Sequence, residues 1–193
     1  MHCLSTCRDQ SFWIAFIDLD EFIVPVSAPG IPEILKEFEP YGGLAVNWLM
    51  YGNSGHETQP PGLQIENFIH RAEASWKSNR HVKSIVNPRR AKSPLNPHCF
   101  RYIEGCTAVD ENHHPVAGPL TAANSTRKIR INHYFTRSTE ESRRKMERGN
   151  PDSNYKRPWE DFVRLNRNDV LDTTMDRFIP ELKRRLQSDA PVA

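Results

Sequence analysis

The sequence predicts an α/β fold, and three observations carry that expectation. Trp13 to Ile17 is apolar at every position, as in a strand covered on both faces of a sheet. Lys128 to Tyr134, KIRINHY, sets Ile129, Ile131 and His133 on one face and Arg130, Asn132 and Tyr134 on the other, the period of a strand. Immediately afterwards Ser138 and Glu141 form a capping box, with Gly149 and Pro151 as stop signals, so a helix is expected from about Thr139 to Arg148.

The other elements follow in order along the chain. Pro25, Pro29, Gly30 and Pro32 end the first extended region, and Pro32 opens a helix, IPEILKEFEPYG, whose Ile34, Leu35 and Phe38 keep helical spacing. Gly42 and Gly43 end it. Leu44 to Tyr51, LAVNWLMY, reads as a strand, and GNSGHETQPPG after it as a turn-rich loop of the kind that carries ligand contacts. Leu63 to Arg71 fits strand or helix equally well. HVKSIVN is a strand, PRRAKSPLNPH a proline-punctuated connection, and Cys99 to Val116 a strand pair turning at Asp110 to His114. Gly118 to Thr126 is a polar loop. In the tail, Val170, Leu171, Met175, Phe178, Ile179, Leu182 and Leu186 keep a helical period that Pro180 interrupts, which predicts two short helices or a kink over residues 165–193.

Composition bounds the function. The 193 residues suffice for one domain with a sizeable core, and 37% hydrophobic with 26% charged residues is a globular balance. A net charge of +2, with both signs interspersed, predicts no face for nucleic acid. No run approaches the ~20 apolar residues of a membrane span, and MHCLSTCRDQ lacks the apolar centre of a signal peptide, so a cytoplasmic or membrane-peripheral location is expected. Cys3, Cys7, Cys99 and Cys106 form no C-x-x-C pair and read as buried or idle thiols.

The chemistry concentrates where the apolar run Trp13 to Ile17 turns acidic. On a continued strand Asp18 and Asp20 would point the same way while Leu19 packs on the other side. Two carboxylates suit a hard cation such as Mn²⁺ or Mg²⁺, whose other positions water and diphosphate oxygens can fill. Ligands in open α/β sheets collect beyond the carboxyl ends of strands, where this pair sits. A haloacid-dehalogenase-like phosphohydrolase also ends a strand in D-x-D, but it follows with Thr or Val where this chain has Phe22, and it needs a later acidic pair that is absent here.

With its surroundings, the segment resembles the family-2-like and family-92 glycosyltransferases, whose shared strand has the form W-x-x-x-x-D-x-D-E-F. Trp13, Asp18, Asp20, Glu21 and Phe22 match it. The likeness continues through Trp48 with Tyr51 to His56, Gly62 to Phe68, Lys83 with Pro88, and His98 with Phe100. Beyond these it takes in Asn132-His133-Tyr134, Arg137-Ser138 with Glu141, and Lys145 with Arg148-Gly149.

The resemblance implies a partial GT-A (Rossmann-like) nucleotide-diphospho-sugar transferase fold, a mixed sheet with flanking helices, in one domain over residues 1–193. It implies transfer from a nucleotide-sugar donor to a glycan or other hydroxyl acceptor, with Mn²⁺ or Mg²⁺ held by Asp18, Asp20 and His133. Arg137, Lys145 and Arg148 would face the donor phosphates. Trp48, Asn53, Ser54, His56 and His98 would face the sugar or acceptor, and Glu66 is the first choice as catalytic base. Family members carry further βα units before the D-x-D strand to hold the nucleotide base. This chain starts shortly before that strand, so an N-terminally truncated, non-catalytic remnant is the alternative expectation.

Overall fold

The computed structural model describes residues 2–149 and 155–188. The elements are α1 (His2–Thr6), β1 (Ile14–Ala15), β2 (Glu21–Pro25), α2 (Ile31–Leu35), β3 (Gly43–Met50), α3 (Gln64–Asn67), β4 (His70–Arg71), β5 (Val82–Val86), β6 (Ala91–Pro94) and β7 (Phe100–Tyr102). They continue with β8 (Ala108–Val109), β9 (Pro115–Val116), β10 (Ile129–His133), α4 (Thr139–Arg148), α5 (Trp159–Leu165), β11 (Val170–Leu171) and α6 (Ile179–Ser188). They fall into two compact units, one of residues up to Leu49 together with Ala74–His133, the other of Met50–Glu73 and the residues from Tyr134 onward.

The first unit is built on a sheet of order β1-β5-β3-β10-β2, to which β8 and β9 add at β3. β8 runs parallel to β3 while β5 runs antiparallel to it, so the sheet is mixed, as the α/β expectation requires and as a partial Rossmann-like fold permits. β5 and β10 are buried at every position, Lys83 and Arg130 included, so each strand carries one charged side chain among otherwise uncharged residues. Leu44, Val46, Ile85, Ile129 and Ile131 pack with Ile34, Leu35 and Phe38 of α2 and its 3₁₀ continuation in one core cluster. The helix begins with Pro in its first turn, as the sequence predicts.

Glu111 fastens β10 to this core. Its carboxylate, 3% exposed as a residue, accepts the backbone N–H of Arg127 at 2.7 Å, Lys128 at 2.8 Å and Ile129 at 3.1 Å, and also the Ser125 hydroxyl. A buried carboxylate needs such donors, and the first N–H groups of the strand need an acceptor.

In the second unit β4 and β11 pair antiparallel, joining Arg71 to Val170 and His70 to Leu171. An ion pair from Arg71 Nε to Asp172 Oδ2 at 2.6 Å flanks that ladder. α4 starts at the Ser138 cap with its reciprocal Glu141 bond and ends, as expected, at Gly149, whose positive φ of 76° favours glycine.

Several expectations are corrected. The apolar run does not carry Asp18 and Asp20 along a strand: β1 is only Ile14–Ala15, and the chain leaves the sheet before re-entering as β2. Leu19 does not pack on the opposite face but is 98% exposed at the tip of a turn that the bond from Glu21 N to Asp18 O closes. The turn leaves the Asp18 carboxylate access to water, at 61% exposed, while that of Asp20 is tucked against His133. Ala91–Pro94, expected as connection, is a strand paired to β7, with a bulge between Ala91 and Ser93.

Leu63–Arg71 is helix and then strand, resolving the ambiguity both ways. Val170 and Leu171 belong to a strand rather than the tail helix, α5 was not foreseen, and Pro180 falls in the first turn of α6, where it causes no kink. Pro151 lies outside the described residues.

Candidate functional site

Strand register builds the site. β2 and β10 pair antiparallel with His133 opposite Glu21, so the last residue of β10 meets the first of β2, and the Asp18–Asp20 turn stands beside them. His133 Nε2 lies 3.5 Å from Asp20 Oδ1, and its Nδ1 lies 3.9 Å from Glu21 Oε1. Both side chains of the first pair are nearly buried, 7% and 12% exposed, whereas that of Asp18 is 61% exposed.

Lys83, on β5, completes the constellation. Its ammonium donates to Asp18 Oδ2 at 2.9 Å and lies 3.7 Å from Glu21 Oε2, with 3% of its side chain exposed. Glu21 Oε2 in turn accepts the backbone N–H of Asp18 at 2.9 Å. Burial pushes the Glu21 carboxyl up to about 7, against the lowering by that N–H and by Lys83, so near neutral pH it is divided between acid and carboxylate. Glu21 Oε1 is buried and has no hydrogen-bond partner among the described residues.

Beside the carboxylates stands an aromatic group centred on Trp48 of β3. Its indole stacks on His81 at 5.1 Å and meets the ring edges of His98 at 5.2 Å and His133 at 4.4 Å. His98 Nδ1 is 2.9 Å from Val82 O and His81 Nδ1 is 2.9 Å from Ser78 O, so each ring donates from Nδ1 to a carbonyl. Burial also holds the His98 pKa below its ordinary value, with the nearby Lys83 charge adding to the effect. Trp48 Nε1 is buried without a partner among the described residues. Three imidazoles thus surround one indole whose N–H is buried.

The first unit thus brings together Asp18, Asp20, His133, Trp48 and His98. The remaining expected residues belong to the second unit, where most of their polar atoms have protein partners. Asn53 Oδ1 accepts from Gly55 N and Asn168 Nδ2, while its own N–H donates to Asn166 Oδ1 at 2.7 Å. Ser54 Oγ accepts from His70 N at 3.0 Å, and His56 Nε2 lies 3.1 Å from Asn67 O.

Glu66 Oε1 pairs with Lys183 at 2.5 Å and its Oε2 caps Leu63 N. The Lys183 bond and then the Leu63 N–H hold its carboxyl below the usual range, which weakens it as a proton acceptor. Lys145 Nζ donates to Phe135 O at 3.2 Å and lies over the Phe135 ring, Arg137 NH1 is 3.7 Å from Glu141, and Arg148 is exposed.

Glu21, His81 and Lys83 received no role from the sequence. The signal for Lys83 was available: a lysine inside an otherwise uncharged strand, HVKSIV, is buried only with a carboxylate partner. Glu21 could be placed only once the register opposed it to His133.

The two carboxylates suit the oxygen preference of Mn²⁺ or Mg²⁺, and Asp20 stands beside the His133 imidazole. Among the described residues no group of three or more His, Cys, Asp or Glu is arranged to hold a metal as it stands, for Asp18 is turned to Lys83. The donor set therefore fits such an ion in kind, and Asp18 is the ligand whose present bond competes.

Residues 1–182 match the sequence model of Glycosyltransferase family 92. A comparison with curated proteins returned no match. Among the described residues no helix is long and apolar enough to cross a membrane.

Proposed function

The chain belongs to glycosyltransferase family 92, and from that premise we propose that it transfers a sugar from a nucleotide-diphospho-sugar donor to an acceptor hydroxyl with a divalent cation at the aspartate pair. The approach of His133 to Asp20, 3.5 Å apart at the meeting of β10 and β2, is the observation that carries this reading.

Asp20, His133 and Asp18 would hold Mn²⁺ or Mg²⁺. The chemistry such an ion supplies is neutralisation of charge on the departing diphosphate. Glu21 and Lys83 hold the turn that presents Asp18 and Asp20. The Trp48 indole, stacked on His81 and met edge-on by His98, would pack against a sugar ring whose hydroxyl groups the imidazoles could hydrogen-bond.

Asn53, Ser54 and His56 would contribute through whatever hydrogen-bonding capacity their internal bonds leave. Arg137, Lys145 and Arg148 remain the proposed donor-phosphate contacts. A base role for Glu66 requires its pair with Lys183 to open.

The test is titration of Mn²⁺ and a panel of nucleotide sugars into wild type and Asp20→Ala, followed by assay for transfer. Metal-dependent donor binding is expected in wild type and lost in the variant. Equal binding by both, or by neither while folded, would sink the site assignment. Binding without transfer would favour the non-catalytic remnant.

A further inference from the structure

A lysine in the middle of a buried strand carries a large desolvation cost, several kcal/mol for an isolated ion, and stays charged only beside compensating carboxylates. Lys83 has two, Asp18 Oδ2 at 2.9 Å and Glu21 Oε2 at 3.7 Å. The arrangement is lopsided, because the lysine is 3% exposed and Asp18 is 61% exposed. The aspartate reaches in from solvent to the ammonium rather than being buried with it. Apolar packing does not hold the Asp18–Asp20 turn, since Leu19 at its tip is 98% exposed. Polar contacts hold it: Glu21 to the Asp18 N–H, and Lys83 to the Asp18 carboxylate.

We propose that the Lys83 ammonium is an internal counter-cation of the aspartate pair, holding Asp18 while no divalent ion is bound and turning to the diphosphate when ion and diphosphate arrive together. The proposal rests on the metal reading above and adds the order in which charges are satisfied. With Lys83 bonded to Asp18, a free divalent ion meets one carboxylate already neutralised and a like charge close by, so it binds weakly alone. A diphosphate brings negative charge that can serve the ion and the ammonium together, so both ligands bind better as a pair. The device would discourage the site from filling with metal in the absence of donor.

Mn²⁺ affinity, measured from the EPR signal of the free ion with and without inorganic pyrophosphate, tests this in wild type, Lys83→Met, Lys83→Gln and Asp20→Ala. Both Lys83 variants are expected to bind Mn²⁺ alone more tightly than wild type, by about tenfold or more. Pyrophosphate is expected to tighten Mn²⁺ binding in wild type and to lose most of that effect in the Lys83 variants, an opposite pair of changes that general destabilisation does not produce.

Unchanged or weaker Mn²⁺ affinity in folded Lys83 variants, or an undiminished pyrophosphate effect, overturns the proposal. Asp20→Ala separates the two readings. Mn²⁺ binding as strong there as in wild type removes the metal site and this inference together. Loss of Mn²⁺ in Asp20→Ala, with Lys83 variants that behave as wild type, removes only the role of Lys83. Should the Lys83 variants not fold, side-chain NMR of the lysine ammonium groups in wild type decides: the Lys83 signal moves when Mg²⁺ and pyrophosphate are added together, and a signal that stays in place overturns the proposal.

Discussion

His133 Nε2 stands 3.5 Å from Asp20 Oδ1 because β10 ends where β2 begins. The expected order of effects on Mn²⁺ binding follows from that contact and from the looser hold on Asp18. Asp20→Ala and His133→Ala should each weaken binding by more than the ~10–100-fold typical of losing an outer-shell partner. Asp18→Asn should cost less, because that carboxylate is 61% exposed and bonded to Lys83. Calorimetric titration of the three variants checks the order, and a larger loss for Asp18→Asn than for the other two contradicts it.

Glu111 carries the start of β10 on one carboxylate. Glu111→Ala should leave the N–H groups of Arg127, Lys128 and Ile129 without their acceptor, at a cost of roughly 3 kcal/mol or more in unfolding free energy. Urea denaturation measures it. Since β10 ends at His133, Mn²⁺ affinity should fall in the same variant, and a change below about 1 kcal/mol would show that the strand start is held otherwise.

The pH dependence is predicted at Glu37. Bonds from Lys128 first, and from His113, hold its carboxyl below the ordinary value. A depressed carboxylate contributes stability that is complete above the unfolded-state pKa, 4.5, and is lost as pH falls through the lower folded value. The group is 42% exposed, so the contribution is under about 1 kcal/mol. Thermal melts from pH 7 to below 4 should therefore show a shallower acid loss for Glu37→Gln than for wild type, and parallel curves would remove Glu37 from the acid limb.

Phe38 is fully buried in the cluster that joins α2 to the sheet. Phe38→Ala should destabilise by about 3–5 kcal/mol, the usual cost of such a truncation. Ser138→Ala, which removes the N-cap of α4, should cost about 1 kcal/mol. Chemical denaturation resolves both, and the reverse ranking would contradict the burial assigned to Phe38.

The sequence by itself determined whatever depends on neighbours along the chain. Ser138, Glu141 and Gly149 marked α4 at both ends because caps are satisfied within a few residues of the helix they close. Leu44 to Met50 announced itself as a strand by a sustained uncharged run, and Ile129 to His133 by its two-residue alternation. The acidic motif and its family resemblance were also legible, since they reside in residue type and order.

Tertiary structure alone decided what depends on register and on long-range charge. Alternation could not reveal that Asp18 and Asp20 leave the sheet, because the turn is held by Lys83 from another strand and by a glutamate whose bonding direction no pattern encodes. The short strands Ala91–Pro94 and Val170–Leu171 escaped notice because each is defined by its partner and not by its own composition. His133 was named from sequence, but only the antiparallel pairing of β10 with β2 set its ring beside Asp20 and against Trp48. A contact between distant residues is fixed by strand register, and register is settled by the packing of the whole sheet.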